Sequence, residues 1–244
     1  MERLRGRLAA LAGNYLRTPH RGTGVTCADC MTPVAGYELC YVCNGHRRIE
    51  GHANYLGFLT YAVAGQESGS LMRGYKASRA FTEHRLAVGL LLFIALHEHS
   101  ECVGILAGIP VTGWATVPSL PAKPGRHPLR TLVVGHAPGT EITLVAAATV
   151  KDPRCVDADH FACQTPVPPG SHIMLIDDTW ATGGHVQSAA LALRTAGAGV
   201  VSALIVARWV KEEYAGSTRF IADIARETFD PRICPWTGGG CPSR

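Results

Sequence analysis

The stretch Ile173-Met-Leu-Ile-Asp-Asp-Thr-Trp-Ala-Thr-Gly-Gly-His185 decides the fold class of this 244-residue chain. Its first four residues are apolar without alternation, which is typical of a parallel strand buried on both faces. Asp177 and Asp178 follow at the carboxyl end of that strand, where open α/β sheets bind their ligands. The small, glycine-containing segment 179–185 then turns into a helix, and its backbone N–H groups are suited to an anion.

Two carboxylates beside an anion-binding turn suit a ligand with adjacent hydroxyls and a phosphate, such as a ribose 5-phosphate. The alternative is a tight strand-to-helix turn whose acids only cap the helix. One acid is enough for a cap, and a second acid beside it adds repulsion without a structural reason. The pattern therefore favours a ligand site.

The rest of the chain alternates between predicted strands and helices. We expect further strands at 55–64, 113–117, 142–150 and 200–209, with a short extended piece at 161–166. We expect helices at 2–17, 78–99, 127–136, 183–197 and 215–228, and a flexible basic loop at 65–76. This alternation predicts an α/β fold with a doubly wound, mostly parallel sheet.

Composition limits the class of protein. Hydrophobic residues make up 47% of the chain and charged residues 17%, which allows one sizeable core. No run reaches the ~18 apolar residues of a membrane span, and the N-terminus lacks the features of a secretion signal. We therefore expect a cytoplasmic protein without membrane contact. A net charge of +4 does not by itself indicate nucleic-acid binding.

Four of the nine cysteines form two C-x-x-C pairs, Cys27-Ala-Asp-Cys30 and Cys40-Tyr-Val-Cys43. Four thiolates with this spacing can converge on one tetrahedral zinc ion, and a closed site of this kind is structural. The alternative is two unrelated pairs, one of them redox-active. We predict a structural Zn²⁺ knuckle in a small N-terminal module.

The other cysteines divide into two groups. We expect Cys102, Cys155 and Cys163 to be ordinary core or loop residues. The tail cysteines Cys234 and Cys241 are compatible with a second metal, a labile disulfide or free thiols, and the sequence does not choose. The resulting division is an N-terminal helix and zinc knuckle at 1–50, an α/β domain at 51–230 and a Cys/Pro/Gly tail at 231–244.

A basic segment free of acids lies between Glu101 and Glu141. It contains a Pro/Gly-rich loop that begins at Val117 and carries Lys123 and Arg126. A loop of this kind after a strand suits a highly charged leaving group, because cations in a closed site are screened less than exposed ones. The alternative is an ordinary solvated basic loop, and the same choice applies to Arg73 and Lys76 after the first strand.

Residues 173–185 resemble the signature of type I phosphoribosyltransferases, which bind 5-phosphoribosyl 1-pyrophosphate (PRPP). The signature is a hydrophobic strand, Asp-Asp, two variable residues and Ala/Thr-Thr-Gly-Gly/Ala-Thr. His185 departs from it, since the family has Thr or Ser there. The positions that match are Asp177, Asp178, Ala181, Thr182, Gly183 and Gly184.

The resemblance implies a role for each segment. Asp177 and Asp178 would be the catalytic residues, which hold the ribose hydroxyls of a Mg²⁺–PRPP complex. The 5-phosphate would bind to Thr179, Ala181, Thr182, Gly183, Gly184 and His185. The pyrophosphate loop would comprise Val117, Pro118, Ser119, Lys123 and Arg126.

A cysteine knuckle before this signature is similar to the ComF-type, amidophosphoribosyltransferase-like proteins. Arg73-Gly-Tyr-Lys76 lies between the two features, in the expected order. The family's Arg-Gly-Phe-Asn-type element is replaced by Gly125-Arg-His-Pro-Leu129, so the acceptor or partner can differ.

The likeness implies a pentosyltransferase that moves ribose 5-phosphate from PRPP to an unknown small-molecule nitrogen nucleophile and releases pyrophosphate. The alternative is a non-catalytic, PRPP-sensing or DNA-associated competence-type protein, whose DNA contact would show a steep salt dependence. A third possibility joins a zinc module to an unrelated doubly wound domain. The sequence leaves the acceptor and the oligomeric state open.

Overall fold

A five-stranded parallel sheet forms the centre of the protein in the computed structural model, which describes residues 1–77, 81–123, 125, 127–213 and 217–243. The strands within these ranges are β1 (Tyr55–Val63), β2 (Val111–Thr116), β3 (Thr140–Glu141), β4 (Leu144–Ala146), β5 (Phe161–Cys163), β6 (His172–Trp180) and β7 (Val200–Val210). The sheet has the order β1-β7-β6-β2-β3, with every neighbouring pair parallel. Strands β4 and β5 form a separate antiparallel pair.

Helices cover both faces of the sheet. They are α1 (Glu2–Ala12), α2 (Tyr41–His46), α3 (Glu67–Gly74), α4 (Thr82–Ala107), α5 (Pro128–Val133), α6 (Gly184–Thr195) and α7 (Ser217–Ile224). One face packs against α6, α7 and the four-cysteine segment, and the other against α1, α3, α4, α5 and part of the tail. Because both faces are covered, the central strands β6 and β7 are almost continuously buried. The predicted doubly wound α/β fold is confirmed.

Helix α4 is, among the described residues, the one helix long and apolar enough by length and composition to cross a membrane. Its side chains Val88, Leu92 and Val103 are fully buried in the core on one side of the sheet. Of its most apolar window, 56% is buried inside the structure. A helix that is apolar on most sides and packed in this way is typical of a core helix.

The segment after β1 is a helix, and the prediction of a flexible loop there is wrong. Helix α3 buries Leu71 and Met72 against β1 and α4. Its glycines and serines suggested a loop, but they permit close packing. A Cβ on Gly69 would lie 2.4 Å from the Val63 carbonyl oxygen, and the Ser68 hydroxyl accepts a hydrogen bond from the Val63 amide at 3.0 Å.

Other elements have ends that differ from the prediction. The strand expected at 142–150 is shortened to β4, which pairs with β5 because the chain leaves the main sheet after β3. Helix α4 continues to Ala107, where Gly108 ends it in the left-handed conformation with φ +68°. The ends of these elements depend on which strands pair in the folded protein, and the local pattern of apolar residues does not predict that pairing.

Candidate functional site

A cleft of about 440 Å³ opens at the carboxyl ends of β6 and β7, where α6 begins. It contains one of the two predicted acids together with all of the predicted 5-phosphate residues, namely Asp177, Thr179, Ala181, Thr182, Gly183, Gly184 and His185. Its remaining walls are Leu120, Pro153, Arg154, Val186, Trp209 and Lys211. We call it the β6–α6 cleft.

The turn into α6 requires two glycines for different reasons. Gly183 has φ +86°, and a Cβ there would lie 2.1 Å from the Trp180 ring. A Cβ on Gly184 would lie 2.4 Å from the Arg154 carbonyl oxygen. The turn therefore brings bare backbone to the cleft, and the first amides of α6 have no partners within the helix. This is the geometry of an anion site at a helix N-terminus.

Asp177 lies half-buried in the β6–α6 cleft, on the face of β6 that packs against α6. Its Oδ1 accepts a hydrogen bond from the Asp178 amide at 2.8 Å. Burial, and next the charge of Asp178, raise the pKa of Asp177 to about 8. A ligand that brings positive charge or hydroxyl donors to this carboxylate would favour its ionised form.

Asp178 points to the opposite face of β6, because side chains alternate along a strand. Its Oδ2 accepts from the Tyr75 hydroxyl at 2.6 Å and from Lys76 Nζ at 2.9 Å, and its Oδ1 lies 3.1 Å from the same ammonium. Burial opposes ionisation of Asp178, but Lys76 and the hydrogen bonds together hold its pKa below the usual value. Asp178 is thus a buried, paired carboxylate.

Tyr75 and Lys76 follow directly after α3, a helix that was not predicted from the sequence, and α3 positions both of them. Tyr75 is fully buried, and sequence reasoning gave it no role. Lys76 appeared in the sequence only as a weak candidate for binding phosphate. Arg73, the other candidate, instead stacks over the Trp209 ring at 5.3 Å.

A second cleft of about 590 Å³ lies beside the carboxyl end of β2, and we call it the β2 cleft. Pro118, Ser119 and Lys123 of the predicted pyrophosphate loop line it, together with Lys76 and His127. Ser119 faces this cleft while its neighbour Leu120 lines the β6–α6 cleft, so the loop lies between the two.

Val117 of that predicted loop lines neither cleft. Val117 is 2% exposed, and its amide donates to the Ile176 carbonyl at 3.1 Å, so it anchors the loop to β6. Arg126 lies outside the described residues. His127 accepts a hydrogen bond from the Leu129 amide, and burial lowers its pKa, which favours a neutral imidazole.

Two cationic residues of the β6–α6 cleft, Arg154 and Lys211, were not predicted from the sequence. Arg154 belongs to an irregular segment, and Lys211 follows β7, so neither lies in a motif. His185 also lines the cleft, and burial is the main cause that lowers its pKa. A neutral imidazole at this position can donate one hydrogen bond where the family signature has a hydroxyl.

The structure brings Cys27, Cys30, Cys40 and Cys43 together, with their sulfur atoms all within 4.8 Å of one another. Cys30 Sγ lies 3.7 Å from Cys40 Sγ, and a tetrahedral Zn–thiolate site has S–S edges of about 3.8 Å. The Cys43 amide donates to Cys40 Sγ at 3.4 Å, and hydrogen bonds of this kind orient the groups that bind a metal ion. The four residues therefore fit one zinc ion.

No protein-family model matches the chain, and no curated protein matches it. Among solved structures, it is similar to the crystal structure of orotate phosphoribosyltransferase from Mycobacterium tuberculosis H37Rv in complex with Fe(III) dicitrate. The identity is 17%, the match covers 57% of this chain and 69% of that chain, and the TM-score is 0.31. A likeness this low says nothing about the activity of this chain.

Proposed function

We propose that this protein is a PRPP-dependent phosphoribosyltransferase, a cytoplasmic pentosyltransferase that transfers ribose 5-phosphate to a nitrogen nucleophile and releases pyrophosphate. The observation that carries the proposal is the β6–α6 cleft, which joins Asp177 to the glycine turn at the start of α6. Apart from Asp178, the matched motif residues line this cleft, and a second cleft with lysines lies beside it.

The 5-phosphate would bind at the start of α6. The amides of segment 182–185 and the Thr182 hydroxyl are donors, and Arg154 and Lys211 add positive charge to the same cleft. Charge-assisted hydrogen bonds to an anion are roughly twice as strong as neutral ones. This end of the substrate would therefore fix the position of the ribose.

The ribose would lie over Asp177. An ionised carboxylate there accepts hydrogen bonds from ribose hydroxyls and stabilises positive charge that develops on the ring as the C1–O bond to pyrophosphate breaks. The nitrogen nucleophile then forms the new bond to C1 and loses its proton to solvent water. Asp177 acts through charge and position, so it need not accept that proton.

The pyrophosphate would bind in the β2 cleft, where Lys76, Lys123 and Ser119 meet. Lys76 is shared between the two parts of the site, because it lines this cleft and also pairs with Asp178. When pyrophosphate competes for the ammonium, Asp178 would lose part of its compensation. Binding of pyrophosphate would thereby change the charge balance at Asp178, next to Asp177 on β6.

Magnesium fits this arrangement. Mg²⁺ in phosphate-binding sites is held by one or two carboxylates plus substrate oxygens, and Asp177 supplies a carboxylate at the cleft. When bound, the ion would neutralise charge on the pyrophosphate.

A pyrophosphate-release assay tests the proposal. Wild-type protein with PRPP and Mg²⁺ is expected to release pyrophosphate in the presence of one member of a panel of nucleobases, amines and ammonia. Thr182→Val should lower the rate by about 10²–10³ if its hydroxyl is a preorganised donor. Thr218→Val, on α7 away from both clefts, is the matched control and should retain full activity. Absence of pyrophosphate release with every acceptor would contradict the transferase proposal, and absence of PRPP binding as well would contradict the assignment of the site.

A second candidate is a PRPP-binding protein without turnover. It is supported by the Lys76–Asp178 ion pair, which leaves Asp177 as the one acid of the signature that faces the cleft. This candidate predicts PRPP binding that depends on Asp177 and no pyrophosphate release with any acceptor. The two candidates therefore differ in turnover and agree on the site.

A further inference from the structure

A second group of metal-ligand side chains lies on the opposite face of the sheet from the N-terminal cysteine group. His99 and Cys102 lie one turn apart on α4, and Cys234 and Cys241 come from the C-terminal tail. One ligand atom from each residue lies within 4.8 Å of every other. We call these four residues the tail cluster.

The distances suit a tetrahedral ion. Cys241 Sγ lies 3.3 Å from His99 Nδ1, and a zinc site with mixed sulfur and nitrogen ligands has S–N edges of about 3.6 Å. His99, Cys102 and Cys234 are each at most 4% exposed, while Cys241 is exposed and closes the outer side.

The tail is shaped as a knuckle around Cys234. The Cys234 amide donates to the Gly239 carbonyl at 2.9 Å, and the Gly238 amide donates back to the Cys234 carbonyl at 2.8 Å. The Thr237 hydroxyl closes the turn through a 2.7 Å bond to the Gly240 carbonyl. These bonds turn the chain so that Cys234 and Cys241 face α4 together.

His99 supports the same conclusion independently. It is 4% exposed, and its Nε2 has no hydrogen-bond partner among the described residues. Its backbone carbonyl accepts from Trp236 Nε1 at 2.8 Å, which holds the tail against this turn of α4. A buried imidazole whose Nδ1 lies 3.3 Å from one thiol, with two further cysteines beside it, is in place to bind a metal ion.

We propose that His99, Cys102, Cys234 and Cys241 bind a second structural zinc ion, which fastens the C-terminal tail to α4. The ion would complete a closed Cys₃His site with no position left for a substrate. It is independent of the phosphoribosyl chemistry, since the tail cluster and the β6–α6 cleft share no residue.

The consequence of this zinc would be that the tail stays packed on β1. Strand β1 is an edge strand, and Trp236 packs so closely on it that a Cβ on Gly57 would lie 2.8 Å from the Trp236 ring. Arg21 lies beside Gly238 and donates to the Leu56 carbonyl at 2.6 Å. The zinc would thereby keep Trp236 packed on the face of β1, whose backbone also bonds to Arg21 and to the Arg17 carbonyl, which accepts from the Tyr61 amide at 3.2 Å.

Zinc content tests the proposal on the full-length protein. Wild type should contain two zinc ions per chain, and the double variant Cys234→Ser/Cys241→Ser should retain one. Cys163→Ser is the matched control and should retain both, because Cys163 lies outside the metal-ligand groups. Cys27→Ser should also retain one, in the tail cluster. A wild-type content of one zinc, two zincs in the double variant, or iron in place of the second zinc would overturn the proposal.

A measurement on wild type covers the case in which the double variant does not fold. Cys155 and Cys241 are both exposed, so both thiols are accessible to an alkylating reagent if neither binds a metal. Mass spectrometry should show that Cys241 is protected until a chelator removes zinc. Alkylation of Cys241 at the same rate before and after the chelator would overturn the proposal, and so would a Cys234–Cys241 disulfide.

Discussion

Asp177 and Asp178 are adjacent in the chain but project from opposite faces of β6, one into the β6–α6 cleft and the other onto Lys76. The two carboxyl groups therefore have different surroundings, and their pKa values shift in opposite directions. Burial and the neighbouring charge raise the pKa of Asp177, while Lys76 and hydrogen bonds lower that of Asp178. Two neighbouring acids whose pKa values move apart can perform different tasks.

The first prediction concerns pH. Asp177, with a pKa raised to about 8, is largely protonated at neutral pH in the free protein, and substrate binding requires its ionised form. The kcat/KM for PRPP should therefore rise with pH and level off above this value. A pH–rate profile measures it, and Asp177→Asn should lack this rise. A profile that is flat from pH 6 to 9 in wild type would exclude the assigned role.

The second prediction concerns the Lys76–Asp178 pair. Lys76→Met leaves the buried Asp178 carboxylate without its ammonium partner. Because Lys76 is 41% exposed, solvent already screens the pair, and we expect the free energy of unfolding to fall by only about 1–3 kcal/mol at pH 7. The pKa of Asp178 is lowered in the folded protein, so its ionised form stabilises the fold above the unfolded pKa and that contribution is lost as pH falls. Denaturant melts should show the deficit shrinking in acid. Lys151→Met, at an exposed position, is the control.

The third prediction concerns the glycine turn. Gly183→Ala forces an L side chain into a backbone with φ +86° and into the Trp180 ring. We expect lower stability and loss of PRPP binding, since the turn must move away from the phosphate position. Gly6→Ala in α1 has no atom within 4 Å of the new Cβ, so this control should be neutral or slightly stabilising. Equal melting temperatures for the two variants would count against the described turn.

The fourth prediction concerns the N-terminal zinc. Cys27→Ser should remove one zinc ion and lower the melting temperature, because Cys27 is fully buried in the core with Cys30 and Cys43. The control variant Cys163→Ser should have the zinc content and the melting temperature of the wild type. Zinc analysis and thermal unfolding measure both effects. An unchanged zinc content in Cys27→Ser would exclude zinc binding by these four cysteines.

Local sequence was enough to predict that the residues at the centre of the candidate cleft lie together. The strand, the acids and the glycine turn of residues 173–185 are contiguous, so their order in the chain fixes their order in space. The same holds for the C-x-x-C pairs, whose short connection lets the thiols meet. Which face each acid occupies was not predicted, because it depends on the continuation of β6 to Trp180.

The remaining features depend on long-range packing. Tyr75 reaches Asp178 across 103 positions of sequence, and His99 reaches Cys241 across 142. Cys102, expected to be an ordinary core residue, joins the tail cluster for the same reason. Arg154 likewise enters the cleft from an irregular segment that no periodicity marks. Contacts of this kind are set by how the layers stack, which a single sequence does not specify.

Calorimetric titration of PRPP with Mg²⁺ tests the central claim most directly. Wild type is predicted to bind PRPP at one site per chain, and Asp177→Asn to bind it at least about tenfold more weakly, a loss of about 1.4 kcal/mol or more. Asp223→Asn, an exposed acid on α7, should bind like wild type. Absence of PRPP binding by wild type, or unchanged affinity in Asp177→Asn, would contradict the assignment of the β6–α6 cleft.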